Sequence, residues 1–512
     1  MRELSWGETW PSWEEFAERG TSSRVVPVVM PLLVDDTSPT GIYRRLAQPT
    51  GSFILESAEQ GRWSRWSFVG VSSSAVLTAS GPEGRWLGEV PAGLSTSGRV
   101  TDLIEEALTE LASSPDDDLP PLTGGLVGAL GWDVLYDWEP TLARNAVEES
   151  ELPFVALCLA DELVAIDHQR STAWLVCNAI NRNNTSEGMR AAYDRAVSRL
   201  VAMREGLSSP APAHASGLRT SEDLAESMRV AREDFEAAVE TGKEHIRAGD
   251  VFQVVLSQRA DIDCPAPPLE VYRVLRSINP SPYMYYLALP GGPDGVFHVV
   301  GSSPETLINA RAGRATVFPI AGSRPRGQDA EEDRRLAEEL LKDPKEVSEH
   351  VMLVDLARND LAKVCEPGTV EVREFMDIHR FSHIMHITSE VSGQLRENAS
   401  AVDCLRAAFP AGTLSGAPKP SAISIIDDLE PARRGIYGGV VGYFDFAGNA
   451  DLAIAIRTAV LSGGRASVQA GAGIVADSVP ATEYEETKAK AFAALTAIRL
   501  AARLSTGPDA RA

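Results

Sequence analysis

Cysteine is scarce in this chain of 512 residues. There are five, at Cys158, Cys177, Cys264, Cys365 and Cys404, and none stands in a Cys-x-x-Cys pair. Zinc, iron–sulfur centres and a disulfide framework therefore lack their ligand pattern, and a reducing compartment is expected. Positive charge is also short. The 48 Lys and Arg face 72 Asp and Glu, a net charge of −24. Nucleic acid or an anionic membrane as partner is excluded on that balance, since either calls for a basic surface. A small acid is not excluded, because local Arg and Lys can reverse the field inside a cleft. No run of about 20 apolar residues is present to span a bilayer. The N-terminal stretch carries Glu3, Glu8, Glu14 and Glu15 instead of a basic-then-apolar signal, so a cytoplasmic location is expected. His379, His383 and His386 cluster, but without Cys partners or an H-E-x-x-H pattern zinc is not expected there. Histidines of this kind are usually structural; a proton-shuttle role rests only on their titration range.

What is present is ordinary for a globular protein: 44% hydrophobic and 23% charged residues. The length suits two to four domains or one large intertwined unit. Residues 1–205 read as β-rich, with strands expected near Pro27–Val34, Ser52–Glu56, Ala75–Ala79, Leu126–Leu130, Phe154–Ile166 and Thr172–Val176, and helices near Thr101–Ser113 and Gly188–Gly206. Residues 206–220, with Ser-Ser-Pro-Ala-Pro-Ala, form the clearest linker. Residues 221–505 carry the chemistry, and 506–512 read as a flexible tail.

The second region is organised around Phe409–Lys490. Pro410 to Lys419 is a small-residue loop in which backbone can close on a ligand. Three strands, Gly438–Phe446, Asp451–Leu461 and Ser467–Val475, are joined by Gly/Asn turns that favour an antiparallel meander. In the middle strand Ala453, Ala455, Arg457 and Ala459 share a face, so Arg457 stands among small residues, on the floor of a pocket. Its planar fork suits a carboxylate, and a structural ion pair is an equal reading. A helix from about Ala481 to Leu504 puts Glu483, Glu486 and Lys490 on one face. Asp343-Pro344-Lys345-Glu346 opens another helix, with Glu346, Glu349 and Leu353 on one face and Val347, Val351 and Val354 as an apolar stripe. Two Glu-x-x-Glu helices can hold a hard cation, with Mg2+ the natural candidate. On spacing alone, solvated surface acids are the plainer reading, with Glu346 a capping residue.

Elsewhere, Val251–Ser257 reads as a strand with Gln253 facing opposite to Phe252 and Val254. Asn279–Leu287 is a turn feeding a buried strand. Gly301–Glu305 is a turn with a carboxyl at its end, and Pro319–Pro325 is a second small-residue loop. Leu55-Glu56-Ser57 ends a strand and could present polar groups to a ligand, although a simple strand end is the commoner case.

Taken together, Gly301–Glu305, Pro319–Ser323, Lys345–Asp360, Thr413–Lys419, Gly435–Phe444, Ile454–Thr458, Ala470–Val475 and Glu483–Lys490 resemble, in order and over nearly all of 220–500, the chorismate-utilising enzymes, and within them the large subunits of anthranilate synthase. The resemblance implies an α+β fold of two packed antiparallel sheets, sandwich-like, with helices outside and strands of both regions intertwined. It also implies Mg2+ as cofactor, held by Glu349 and Glu486 with Glu346 and Glu483 in support. Arg457 and Tyr437 match residues that hold the enolpyruvyl carboxylate. Gly471-Ala472-Gly473 and Gly322-Ser323 match substrate-binding backbone segments, with Ser323 where the family usually has Thr. Lys490 is expected to neutralise the dianion. Glu305 matches the general acid for loss of the C4 hydroxyl, His386 the residue tied to pyruvate elimination, and Thr413 lies in the same contacting loop.

Relatives that use water carry a Lys where this chain has Gln253, and aminodeoxychorismate synthases carry one where it has Ala321. Both absences favour ammonia as nucleophile and anthranilate as product, ahead of an aminodeoxychorismate or isochorismate/salicylate synthase, or a non-catalytic tryptophan-binding regulator. No cysteine here has the tight Gly-rich setting of a glutaminase nucleophile, so a separate glutamine amidotransferase subunit and a hetero-oligomer are implied. The resemblance further implies a tryptophan feedback pocket at Ser57, Pro282, Tyr283, Met284, Val441, Gly442 and Tyr443, with Arg65 loosely placed nearby.

Overall fold

Two long strands, Trp66–Ala79 and Val155–Asp167, run through both sheets of the molecule and join them. The computed structural model describes residues 5–35, 37–58, 65–142, 144–209, 215–219, 224–380 and 384–505. His383, Arg62-Trp63-Ser64 and the 506–512 tail lie outside them.

The first sheet takes one half of each long strand. On one side of this pair it continues through Thr172–Ile180 and Val25–Leu33. On the other it continues through Ser52–Glu56, Tyr283–Pro290, Val296–Ser303, Thr458–Ser462, Arg465–Ile474 and Gln253–Asp263. The second sheet takes the other halves and adds Glu83–Gly88 on one side. On the other it adds Gly125–Leu130, Val440–Asp445, Ala450–Ile454, Thr306–Arg311, Arg314–Val317 and Ile384–Gln394. All these ladders are antiparallel. The register of Trp66–Ala79 shifts repeatedly between Gly70 and Val76, and such irregularities let a strand turn from one sheet into another.

The expected mixed α+β architecture is thus observed. Side chains from both sheets meet in one core: Phe53, Phe68, Leu287, Phe297 and Val299 against Val127, Ala129, Val441 and Ala455. Helices Ser186–Ser208, Pro268–Ile278 and Pro480–Ala502 cover the outer face of the first sheet. Helices Val100–Glu110 and Ala401–Ala408 cover that of the second, and Lys419–Leu429 packs against Gln253–Asp263 at the end of the first. Strands of the N-terminal region pair with strands of the C-terminal region in both sheets, Glu56 opposite Met284 and Leu130 opposite Val440.

A second junction forms opposite the long strands, and it corrects the expectation for Asp451–Leu461. That run is two strands, Ala450–Ile454 in the second sheet and Thr458–Ser462 in the first. The chain crosses between sheets at Ala455–Arg457, where Arg457 takes a left-handed φ of 52°. A few residues pair in each sheet, so no continuous meander exists and the simple alternation that placed Arg457 breaks at Arg457 itself. The neighbouring chain crosses at Pro304-Glu305, since Val296–Ser303 belongs to the first sheet and Thr306–Arg311 to the second. Pro304 has no N–H to give a ladder, which favours the break there.

Three smaller expectations also change. Residues 320–325 form an edge strand against Ile384–Gln394 rather than a loop. The helix Pro344–Ala362 opens as expected, with Asp343 accepting from the N–H groups of Lys345 and Glu346. Its buried stripe is His350, Leu353, Val354, Ala357 and Leu361, while Val351 is 44% exposed. Phe252 precedes its strand and is 76% exposed, on no face shared with the buried Val254.

Candidate active site

The second junction opens into a cavity of about 2430 Å3. That is larger than one small ligand requires. Its lining falls into two groups of residues, one at the strand crossings and one around the start of Tyr283–Pro290.

At the crossings, backbone bonds hold the two chains against each other. Ser302 N–H donates to Arg457 O (3.2 Å) and Ile454 N–H donates to Glu305 O (3.0 Å). Glu305 and Arg457 are therefore set by the same few peptide groups. The Glu305 carboxyl accepts one side-chain hydrogen bond, from Thr413 Oγ1 at 3.0 Å. Burial pushes its pKa up to about 7, against the smaller opposing effects of Thr413 and the Lys490 charge. Some of its surface remains accessible because it faces the cavity. A carboxylic acid near neutrality is able to give up a proton at working pH.

Arg457 faces the same space. Burial lowers its pKa, while Tyr437 and the more distant Glu486 pull it upward. Among the described residues no carboxylate lies within ion-pair distance of its guanidinium. The structural ion-pair reading is thereby set aside for a cation that faces a cavity without a resident anion. Tyr437 stands close by, with its hydroxyl against Gly471: a Cβ built there would lie 2.7 Å from Tyr437 Oη. Gly471 and Gly473 line the cavity, and Gly471 O accepts from Lys490 Nζ at 3.0 Å. Ala472, expected to bind substrate with its neighbours, turns the other way, fully buried in a hydrophobic cluster, and is not among the residues that line the cavity.

The small-residue strand 320–325 supplies the opposite wall. Gly322 has a φ of 72°, and a Cβ there would meet Glu346 Oε2 at 3.0 Å. Gly322 O accepts from His386 Nδ1 at 2.9 Å. His386 is paired across the ladder with Ser323, and burial lowers its pKa. Its Nδ1–H donates to the Gly322 carbonyl, which in the neutral ring that burial favours leaves Nε2 as the acceptor nitrogen.

All four helical glutamates line the cavity. Glu349 is pushed up by burial, then by Glu346 and Glu486; Glu483 is pushed up by burial and by Glu486. Lys490 Nζ lies 2.7 Å from Glu486 Oε1, and Arg324 lies 3.6 Å from Glu346 Oε1. Among the described residues no three acidic, His or Cys side chains close around one point. The donor set is oxygen only and mutually repelling. That fits a Mg2+ that keeps waters and takes one or two carboxylates plus a ligand oxygen, rather than a cation enclosed by protein.

The other group surrounds Ser57. The hydroxyl of Tyr283 donates to Asp451 Oδ1 at 2.9 Å and lies 2.8 Å from Thr306 Oγ1. Glu56 accepts from Arg276 Nε at 2.7 Å and from the Tyr272 hydroxyl. Arg65 is bound to Asp167 at 2.7 Å, lies 5.1 Å from the Trp66 ring, and lines the cavity. Ser57 Oγ is buried without a hydrogen-bond partner among the described residues. Pro282, Val441, Gly442 and Tyr443 line this part; Met284 does too, but is almost fully buried toward the covering helices. Asp451, Thr306, Asn309 and Arg311 belong here and were not expected. In the sequence Asp451 resembles a turn residue, and only its pairing opposite Tyr443 gives it away. Gln253 and Ala321 both line the cavity.

The model of the chorismate binding enzyme family matches residues 50–496. Anthranilate synthase component 1 of Arthrobacter globiformis is 49% identical over 499 residues, 96% of this chain and 94% of that protein. The protein of the same name from Mycolicibacterium smegmatis is 48% identical over the same shares. Among solved structures, anthranilate synthase component I from Streptococcus pneumoniae superposes with a TM-score of 0.74 at 33% identity, covering 91% of this chain and 99% of that one. The menaquinone-specific isochorismate synthase of Escherichia coli, at 20% identity and a TM-score of 0.69, shares the fold. The chain belongs to the chorismate-binding enzyme family, in its anthranilate synthase component 1 group.

Proposed function

We propose that the chain is the chorismate-converting subunit of a cytoplasmic anthranilate synthase in tryptophan biosynthesis. It takes ammonia from a separate glutaminase subunit, works with Mg2+, and is inhibited by tryptophan. Supporting this above all is the placement, on adjoining strand crossings of one cavity, of a carboxyl with a pKa of about 7 and a guanidinium with no carboxylate in reach among the described residues.

Arg457 and Tyr437 take the enolpyruvyl carboxylate. Glu349 and Glu486, supported by Glu346 and Glu483, would hold Mg2+, which supplies Lewis-acid polarisation of the ring carboxylate and its conjugated diene. Ammonia attacks ring C2, the double bonds shift, and the C4–O bond breaks. Glu305 gives its proton to the departing hydroxyl, so that water leaves. The C2 ammonium sheds a proton to solvent to give 2-amino-2-deoxyisochorismate, which then loses its C2 proton and its C3–O bond; the departing enolate takes a proton at its methylene carbon, giving pyruvate and anthranilate. His386, neutral and oriented by Gly322 O, is the candidate acceptor for the C2 proton. Gln253 and Ala321 offer no lysine to activate water or to capture the ring covalently. All five cysteines are buried and burial raises their thiol pKa values, the wrong direction for a glutaminase nucleophile.

The test is anthranilate fluorescence from the purified chain with chorismate, Mg2+ and ammonium at alkaline pH. A Mg2+-dependent rise suppressed by tryptophan supports the whole reading. Chorismate consumed without anthranilate moves the chain to a sibling chemistry, which the product's mass identifies. Tryptophan bound without turnover would mark a regulator.

A further inference from the structure

Behind the cavity wall, and not lining it, lies an ion pair that the reaction above does not use. Glu430 caps the helix Lys419–Leu429, and Arg434 follows it one turn later. Their side chains are 6% and 1% exposed. The pairing is bidentate: Nε to Oε2 at 2.8 Å and Nη2 to Oε1 at 2.6 Å. A buried pair of this kind is a weak source of stability, because desolvation offsets most of its attraction. Its other contacts point to a different purpose.

Arg434 Nη1 donates to Leu414 O at 2.7 Å, and Nη2 donates to Val255 O at 2.9 Å. Leu414 follows Thr413, whose hydroxyl holds Glu305. Val255 stands opposite Gly473 in the ladder. Glu430 Oε1 accepts from both N and Oγ of Ser257, each at 2.8 Å, and Ser257 stands opposite Gly471. The guanidinium also lies 4.3 Å from the Trp132 ring and 5.6 Å from that of Tyr437. One buried fork thus touches, at one remove, the acid's support, the glycine strand and the carboxylate-facing tyrosine.

We propose that Arg434 and Glu430 are a positioning pair that holds the Thr413 loop and the Gly471–Gly473 strand at a fixed separation, so that Glu305 and the substrate-facing backbone meet the substrate together. This rests on the cavity being the chorismate site. The requirement is geometric. A lysine keeps the charge but has no planar fork to bridge a carboxylate and two carbonyls.

The test is a double-mutant cycle in the full chain. Arg434→Lys, assayed well below its unfolding transition, is expected to lower kcat about 100-fold, the scale of a misplacement near 1 Å, with KM for chorismate little changed. In a Thr413→Val background the same change should lower kcat by less than about threefold further, because both act through one loop. Losses that multiply, or a lowered Tm with unchanged kcat per folded molecule, overturn the proposal. Should Arg434→Lys not fold, Glu430→Gln, which keeps shape and an acceptor oxygen, carries the same cycle. Hydrogen exchange decides independently of any reaction. Faster exchange at 413–417 and 254–257 in the variant, with the helix Pro480–Ala502 unaffected, supports the pair's role, and unchanged exchange in those segments overturns it. If the unmodified chain makes no anthranilate, the functional reading fails while the exchange result still judges the pair.

Discussion

Arg65 and Arg457 line one cavity in opposite conditions. Arg65 is bidentate on the buried Asp167 and rests on Trp66, so its charge is already answered. Arg457 is held at a left-handed backbone angle with no anion in reach among the described residues. The contrast extends to their neighbours. Around Ser57, Glu56 has Arg276 and Tyr272, and Tyr283 has Asp451 and Thr306. At the crossings, Glu305 has one hydroxyl among the described residues and a raised pKa, and Glu349 and Glu483 are pushed up by burial and by neighbouring glutamates. One half of the cavity is finished without a ligand, and the other is left unbalanced for one. Unbalanced polar groups are tolerated where chemistry needs them and the surrounding structure enforces them. The finished half suits a ligand that binds by shape and a few polar contacts, with Ser57 Oγ a buried group that has no partner among the described residues.

The contrast breaks most sharply at Glu305. Glu305→Gln should lower kcat about 1000-fold, within the usual range for losing a general acid, while tryptophan binding measured by calorimetry stays as it was. A loss of both would mean that the two halves are not separable. At a fixed concentration of un-ionised ammonia, kcat of the unmodified chain should fall as pH rises past about 7, since the acid must carry its proton. The stability consequence has the same sign. The folded pKa lies above that of the unfolded chain, so the carboxylate destabilises the fold increasingly as pH climbs from the unfolded value through about 7. Glu305→Gln should therefore raise the melting temperature at pH 8 and not at pH 4. A gain of about 2 kcal/mol is the upper scale, reduced because the carboxyl faces the open cavity.

Arg457 comes next. Arg457→Lys keeps the charge and loses the fork, and KM for chorismate should rise some 30- to 100-fold, the value of one or two charge-assisted hydrogen bonds. An unchanged KM would place the enolpyruvyl carboxylate elsewhere.

The finished half is tested at Ser57. Ser57→Phe fills the space beside the unpaired hydroxyl. It should leave kcat and KM near normal and weaken tryptophan inhibition by tens of fold, in keeping with the cost of overfilling a packed site. Retained inhibition would remove Ser57 from the pocket.

Much of this arrangement is legible in the sequence, for reasons that differ by residue. Ser52–Glu56 is readable as a strand to the residue, because the short apolar run Phe53-Ile54-Leu55 is bounded by a polar residue at each end. The cap of Pro344–Ala362 is local, so Asp343 and Pro344 announce it. The glutamates are legible as helical faces, but only the resemblance turns them inward, since spacing cannot say which face meets a cavity. The crossing at Ala455–Arg457 is not legible. Alternation continues straight through it in the sequence, and the break depends on which strands lie alongside, a long-range matter. Arg434 is hidden for a similar cause. It adjoins Arg433, which is partly exposed and paired with Glu148, and nothing local separates a surface arginine from one buried beneath two rings.

The smallest expected effect probes the seam between the halves. Tyr283 begins a strand in the Ser57 group, yet its hydroxyl contacts Thr306, the residue after Glu305. Asn279 makes a parallel link, donating from Nδ2 to Ser302 Oγ at 2.8 Å, and Ser302 N–H in turn donates to Arg457 O. A ligand that shifts 279–284 therefore has two short routes to the acid and to the arginine, each a chain of direct bonds. Tyr283→Phe removes the hydroxyl from the first route and leaves the second. Tryptophan should still bind, because the ring and its packing remain, but inhibition should weaken about threefold to fivefold, the value of one neutral hydrogen bond. Comparing the inhibition constant with a directly measured dissociation constant gives the answer. Values that rise together assign Tyr283 to binding alone, whereas a rise in the inhibition constant only assigns it to coupling, which is a free energy between two sites rather than a property of either.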